Sequence, residues 1–206
     1  MLTIKQYNVT LKRVEKVDLE EIRAWRNQQF IAKNMLYQAE ISKEQQLEWF
    51  NEINNKNNYY FVILSPQNER VGLVNSKDVD LESGIGEGGI FIWDKKCWDT
   101  LLPGLASLVL LNFSMLKLHG FKGSVVKVLK ENSAAVLYNK KLGYSIVENL
   151  SLDKPYYWMS LTKESYLKRT LGIQRTLRKL YPENSEIIVS GVVSDINTEE
   201  INSFLV

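Results

Sequence analysis

The sequence predicts an α/β fold: a mixed sheet covered by helices, in one main domain followed by a C-terminal extension. Three observations predict it. Runs of strand period alternate along the chain with runs of helical period. The 206 residues are 45% hydrophobic and 24% charged, which is ordinary globular usage, and a chain of that length buries a sizeable core without staples. Finally, charge segregates near the end. Lys163, Lys168, Arg169, Arg175, Arg178 and Lys179 stand against Glu164 alone, whereas residues 182–206 carry acidic groups and no basic one. We expect a main domain over residues 1–162 and a helix-strand extension over 163–206, a basic helix and then an acidic segment.

The elements follow in order. Asn8 to Val14 alternates as a half-buried strand. Asp18 is placed to cap a helix carrying Leu19, Ile22, Trp25 and Phe30 or Ile31 near one face. Ser42 and Gln45 form a capping box for Lys43 to Asn54, with Leu47, Phe50 and Ile53 inward. Tyr59 to Leu64 and Arg70 to Asn75 read as a hairpin across Ser65-Pro66-Gln67-Asn68-Glu69, and Gly89 to Trp93 as another strand. Pro103 to Leu118 is apolar almost all round, so it is expected as a helix buried against the sheet. Gly123 to Val128 is a strand, Ser133 to Leu142 a helix stopped by Gly143, and Tyr144 to Asn149 with Tyr156 to Leu161 would complete the sheet.

Several function classes fall away. Cys97 is the one cysteine, which excludes an internal disulfide framework and fits a reducing, cytoplasmic setting. A net charge of +2 supplies no field to recruit nucleic acid or an acidic membrane. The first residues hold no apolar signal core, and the uncharged stretch from Thr100 to Leu116 includes Pro103 and Gly104. It is shorter than the roughly 20 apolar residues of a membrane span. One histidine and one cysteine build neither a zinc site nor a Cys-His dyad, so no metal is expected. His119, next to Gly120, reads as a helix C-terminal cap, and Cys97 beside Trp98 as a packed small residue.

Two stretches carry a family resemblance. The run from Glu131 to Tyr144, with Asn132, Ala135, Tyr138, Lys140 or Lys141 and Gly143, resembles a segment of the GNAT acyl-CoA-dependent N-acyltransferases. Trp25-Arg26-Asn27, then Met35, then Ile41-Ser42-Lys43-Glu44 and Trp49-Phe50, resembles the branch of ribosomal-protein acetyltransferases and bacterial nucleotide-amino-sugar acyltransferases. Together they cover about Asn8 to Thr162. The resemblance implies a mostly antiparallel sheet splayed in its middle, with acyl-CoA as co-substrate and no permanently bound cofactor.

It also implies roles. Tyr138 would attend the departing thiolate. A free phenol near pKa 10 against a thiol near 8.5 makes full proton transfer uphill by about 2 kcal/mol, so a hydrogen bond to sulfur is the other reading, and a half-buried structural tyrosine a third. Asn132 either caps its helix or offers its amide to pantetheine. Gly84, Gly86, Gly88 and Gly89 crowd one strand, as a flexible loop or as the place where pantetheine lies like an added strand. A backbone N–H near Ile92 and Trp93 would then polarise the thioester carbonyl. Glu87 would be the general base, with Asp78, Asp80 and Glu82 as competitors and a merely solvated acid as the plain alternative.

The pyrophosphate loop departs from the family pattern. In one register Trp98, Leu101 and Pro103 break it; shifted by three residues, Leu101, Leu102 and Gly104 take the donor, with Pro103 removing one N–H. Lys95, Lys96 or the basic tail could supply charge instead, and a carrier-protein thioester also fits. On the acceptor side Trp25, Arg26, Asn27, Met35 and Tyr37 are expected, with Arg26 suited to phosphate. The activity expected is transfer of an acetyl or longer group, such as 3-hydroxybutanoyl, to the amine of a dTDP- or UDP-linked amino-deoxy sugar for surface polysaccharide synthesis. A ribosomal-protein type N-terminal acetyltransferase and a non-catalytic acyl-CoA-binding protein are the alternatives. The tail also offers a surface for a homo-oligomer.

Overall fold

A computed structural model of the chain describes residues 1–191. Asp195, Glu199 and Glu200 of the expected acidic segment lie outside the described residues. The elements are β1 (Thr3–Gln6), β2 (Val9–Arg13), α1 (Leu19–Arg26), α2 (Gln29–Ala32), α3 (Lys43–Ile53), β3 (Tyr59–Leu64), β4 (Arg70–Asp80) and β5 (Ile85–Ile92). They continue with α4 (Leu102–Lys117), β6 (Gly123–Leu129), α5 (Ser133–Leu142), β7 (Ser145–Ile146), α6 (Glu148–Ser151), β8 (Tyr156–Thr162), α7 (Lys163–Leu180) and β9 (Ile188–Ser190). The described strands form one sheet in the order β7-β8-β6-β5-β4-β3-β2-β1-β9. Its pairs are antiparallel except β5 with β6, which are parallel because α4 crosses between them.

Both faces of the sheet are covered, and β3 shows how the sequence manages it. Tyr59, Phe61 and Ile63 enter one core while Tyr60 and Val62 enter the other. Period-2 alternation therefore appears as an unbroken apolar run. The larger core is built on α4, whose residues from Leu102 to Met115 are mostly buried. The smaller core lies across the sheet, where Ile22, Ile31, Phe50 and Ile53 of α1 to α3 meet Val62, Leu73 and Trp93.

Most expected elements form, with corrections. The helix after Asp18 ends at Arg26, and Phe30 and Ile31 belong to the separate α2. Asp18 makes no side-chain cap. It is wholly buried, bonded by the Glu15 N–H at 2.8 Å, Arg70 at 2.9 Å and Lys12 at 3.4 Å. The capping box of Ser42 and Gln45 is present in both directions. In α3, however, Leu47 points outward and Gln46 takes the buried position beside Phe50 and Ile53. Only Ser145–Ile146 of the expected Tyr144 to Asn149 strand pairs, since the chain turns into α6. His119 lies exposed in the turn beyond the α4 cap, which is Leu118. Cys97 packs against the larger core.

The extension is tied into this frame by a buried polar chain. The Tyr166 hydroxyl donates to Asn112 Oδ1 at 2.6 Å, Asn112 Nδ2 donates to Gln6 Oε1 at 2.8 Å, and Gln6 Nε2 donates to the Ser185 carbonyl at 2.9 Å. Neither Tyr166 nor Asn112 is exposed. β9 then pairs with β1, adding the last strand at that edge.

Removing the Asp18 carboxylate deprives the Glu15 N–H, Lys12 and Arg70 of a buried partner, although Arg70 keeps Glu21 at 2.8 Å and Lys12 keeps Glu15 at 3.4 Å. Asp18→Ala should lower unfolding stability by about 3 kcal/mol in a denaturant titration. Leu47→Ala, at an exposed site, should stay within about 0.5 kcal/mol of wild type.

Candidate active site

β5 and β6 are clamped at their starts. The N–H groups of Lys122 and Gly123 both donate to the Gly84 carbonyl, at 2.7 and 3.0 Å. Gly84 and Gly120 each have φ of 79°, and a side-chain carbon on Gly84 would lie 2.5 Å from the Gly120 carbonyl oxygen. Glycine is required there both for backbone conformation and for space. From that clamp the strands pair at Ile85 with Gly123, Gly86 with Ser124 and Glu87 with Val125. Beyond Glu87 they part.

A cavity of about 520 Å³ occupies the gap. Its walls are the open edge of β5 from Gly88 to Ile92, Val126 to Val128 of β6, the Pro103, Ser107, Leu110 and Ser114 stripe of α4, and the first turns of α5. Phe30, Asn34 and Met35 close it from across the sheet. The cavity thus passes through the sheet, with the α4 and α5 side at one end and the α2 side at the other. Gly88 and Gly89 keep it open: an added carbon at Gly88 would lie 3.2 Å from Ser124 Oγ, and one at Gly89 2.7 Å from Asn75 Oδ1.

Hydroxyl groups line the α4 side. The Tyr138 phenol oxygen is 2.9 Å from the Pro103 carbonyl and 2.6 Å from Ser107 Oγ. With one proton to give and a carbonyl that can only accept, it donates to Pro103 and accepts from Ser107. Burial pushes the Tyr138 pKa up to about 12, only partly offset by the Ser107 bond. The Tyr144 hydroxyl donates to Ser124 Oγ at 2.8 Å, and burial raises its pKa as well. The Oγ atoms of Ser76 and Ser114 are buried without a partner among the described residues. Lys127 is the charged side chain on the wall, and no carboxylate side chain lines it among the described residues.

Of the residues singled out in the sequence, Gly88, Gly89, Ile92, Pro103, Asn132, Tyr138 and Met35 line the cavity. Asn132 caps α5, its side-chain oxygen accepting from the Ala135 N–H at 3.0 Å. Glu87 stands beside the cavity rather than on its wall, with Lys127 at 2.8 Å and Lys77 at 3.3 Å. Trp93 is buried and stacks on Trp25, with ring centroids 6.2 Å apart and planes 5° apart. Asn27 braces the following loop, its side chain bonding both the N–H and the C=O of Ile41 at 2.9 Å. Arg26 donates to the Tyr37 carbonyl at 3.2 Å, and burial lowers its pKa. Tyr37 itself is half exposed. At the start of α4, Leu101 is exposed and Leu102 buried, while an added carbon at Gly104 would meet nothing within 4 Å.

Sequence reasoning missed Ser107, Lys127 and Trp98. Trp98 donates its indole N–H to the Ile92 carbonyl at 3.1 Å and packs against Phe30. The i, i+4 spacing of Pro103, Ser107 and Leu111, continued by Ser114, is the one signal that could have put Ser107 on the Tyr138 side of α4.

A family model for the GNAT acetyltransferase domain matches residues 8–145. No curated protein matches the chain. Among solved structures, FdhC, described as a nucleotide-linked sugar GNAT, is similar at TM-score 0.67 and 24% identity, covering 85% of this chain and 98% of its own. The spermidine N-acetyltransferase of Vibrio cholerae, solved with CoA and spermine, is similar at TM-score 0.65 and 20% identity, covering 78% and 98%. A domain from Methanocaldococcus jannaschii is similar at TM-score 0.63 and 23% identity, covering 75% and 97%.

Because Tyr138 is raised from 10.0 to about 12, the folded chain keeps a proton that the unfolded chain releases near pH 10. The stabilising contribution is complete below pH 10 and is lost as pH rises through about 12. The stability of wild type relative to Tyr138→Phe should therefore fall across that interval in denaturant midpoints. A flat difference would contradict the buried phenol.

Proposed function

The chain belongs to the GNAT acetyltransferase family, an acyl-CoA-dependent N-acyltransferase, and on that premise we propose that its acceptor is the amine of a nucleotide-linked amino-deoxy sugar. The observation that carries this reading is the charge of the cavity wall. Lys127 supplies a positive charge, and no lining carboxylate among the described residues stands ready for a polycation. A polyamine needs carboxylates along its length, whereas the diphosphate of a dTDP- or UDP-sugar needs cations. The likeness to a nucleotide-linked sugar GNAT agrees with it.

Acyl-CoA takes the α4 side. Its pantetheine lies along the open edge of β5 from Gly88 to Ile92, as an added strand would, near Asn132. Leu101, Leu102 and Gly104 at the open end of α4 take the pyrophosphate, with the Leu102 N–H, now donated to Thr100 Oγ1 at 3.2 Å, having to be released to it. The sugar takes the α2 side, in contact with Met35 and Phe30, while Trp25, Trp93, Asn27 and Arg26 hold that wall in shape and Tyr37 borders it. The cavity space bordered by Gly88, Ser76 and Ser124 suits acetyl and also a longer group such as 3-hydroxybutanoyl. The setting is cytoplasmic, the acyltransferase domain is residues 1–162, and the product serves surface polysaccharide synthesis.

The amine attacks the thioester carbonyl directly. A carbon–nitrogen bond forms, the carbon–sulfur bond breaks, a β5 backbone N–H holds the oxyanion, and Glu87 receives the nitrogen's proton. Tyr138, with its pKa at about 12, would deliver a proton to a thiolate of pKa 8.5 at a cost of about 5 kcal/mol. Its part is therefore a hydrogen bond to the departing sulfur, given by turning away from the Pro103 carbonyl.

Tyr138→Phe should lower kcat at least tenfold and leave the KM for acyl-CoA within about threefold, in steady-state assays of thiol release. Wild type given a dTDP-linked amino sugar and spermidine in parallel should turn over the sugar. Preference for spermidine would reject the acceptor assignment.

A further inference from the structure

Lys127 lies two residues past the last β5–β6 pair, where the strands have already parted. It lines the cavity, yet its ammonium is engaged: Glu87 Oε2 lies at 2.8 Å and the Trp158 ring centroid at 4.7 Å. Glu87 is behind it, off the wall, with its other oxygen 3.3 Å from Lys77. Lys77 is in turn 3.6 Å from Asp78. Each oxygen of Glu87 thus meets an ammonium group, and the one on the cavity wall belongs to Lys127.

We propose that Lys127 recognises the negative charge of the acceptor, and that in turning to it Lys127 uncovers Glu87 to take the amine proton. The inference rests on the acceptor reading above. An ammonium on a flexible stem has three donors and can pass from one anion to another without moving the backbone. A diphosphate entering the cavity offers more charge than one carboxylate and competes for it. Once Lys127 swings toward the phosphate, Glu87 Oε2 loses its partner on the cavity side and keeps Lys77 on the other. The nitrogen then bonds the acyl carbon, its proton passes to Glu87, and the sulfur leaves with the electron pair of the broken bond. Lys127 is thus a specificity-determining residue: it couples binding of an anionic acceptor to release of the base. An uncharged amine leaves the ion pair closed.

The test compares a dTDP-linked amino sugar with the same amino sugar lacking the nucleotide. In wild type, raising ionic strength should raise the KM of the linked acceptor alone. Lys127→Met should raise that KM at least tenfold, leave the KM for acyl-CoA within about threefold, and abolish the preference for the linked sugar. Lys127→Arg should restore most of it, which also controls for folding. An unchanged KM, an equal loss on both acceptors, or a rise in the acyl-CoA KM instead would overturn the inference, and the acceptor reading would then rest on wild-type turnover of the linked sugar. Wild-type turnover of spermidine but not of the linked sugar would remove the acceptor reading, and this inference with it.

Discussion

The parting of β5 from β6 governs the rest of the molecule. The two strands are joined where Lys122 and Gly123 bond the Gly84 carbonyl, and they pair over three residues. Beyond Glu87 they no longer pair, while β8 holds β6 along its full length. Backbone groups of Gly88 to Ile92 on that edge face a cavity in place of a strand. Unpaired backbone inside a protein is costly, so the gap is maintained by the packing of two cores on either side of it. One of its carbonyls, that of Ile92, is met by the Trp98 indole; the remainder form an edge suited to an extended chain with amides of its own.

Each half of the channel takes its chemistry from the layer that covers it. On the α4 side, hydroxyl groups from Ser107, Tyr138, Ser124 and Tyr144 bond one another and the Pro103 carbonyl. Their protons are held firmly because burial disfavours phenolate. Across the sheet the wall is aromatic and amide, with one ammonium. Charged groups close by are already spoken for, Glu87 by two lysines and Asp18 by Arg70 and Lys12. The resulting cavity is lined by hydroxyls on one side and by a single ion-paired ammonium on the other.

The extension after Thr162 contributes to that frame from a distance. Through Tyr166, Asn112, Gln6 and Ser185 it reaches the face of α4 that looks away from the cavity. Polar side chains so buried must be paired to be tolerated, and here the pairing fixes the position of α4 against β1. The same helix carries Ser107 and Ser114 on the cavity wall, so ordering the tail and shaping the cavity act on one element.

By itself the sequence determined what depends on neighbours in the chain. The capping box at Ser42, the stop at Gly143, the all-apolar α4 and the β3–β4 hairpin are local patterns, and each formed where the spacing placed it. The segment from Asn132 to Tyr144 also carried the family likeness, because its residues share one turn and one helix. Only the tertiary structure decided what joins distant segments. Asp18 does not cap α1; its buried carboxylate accepts from the Glu15 N–H and pairs with Arg70, far along the chain. Leu47 turned outward and its neighbour Gln46 took the buried position. Trp25 and Trp93 stack with each other rather than stand at the cavity wall. The pairing of Lys127 with Glu87 across forty residues had no trace in spacing, since a cross-strand contact follows from sheet order and register, and these are set by which faces two cores require to be buried.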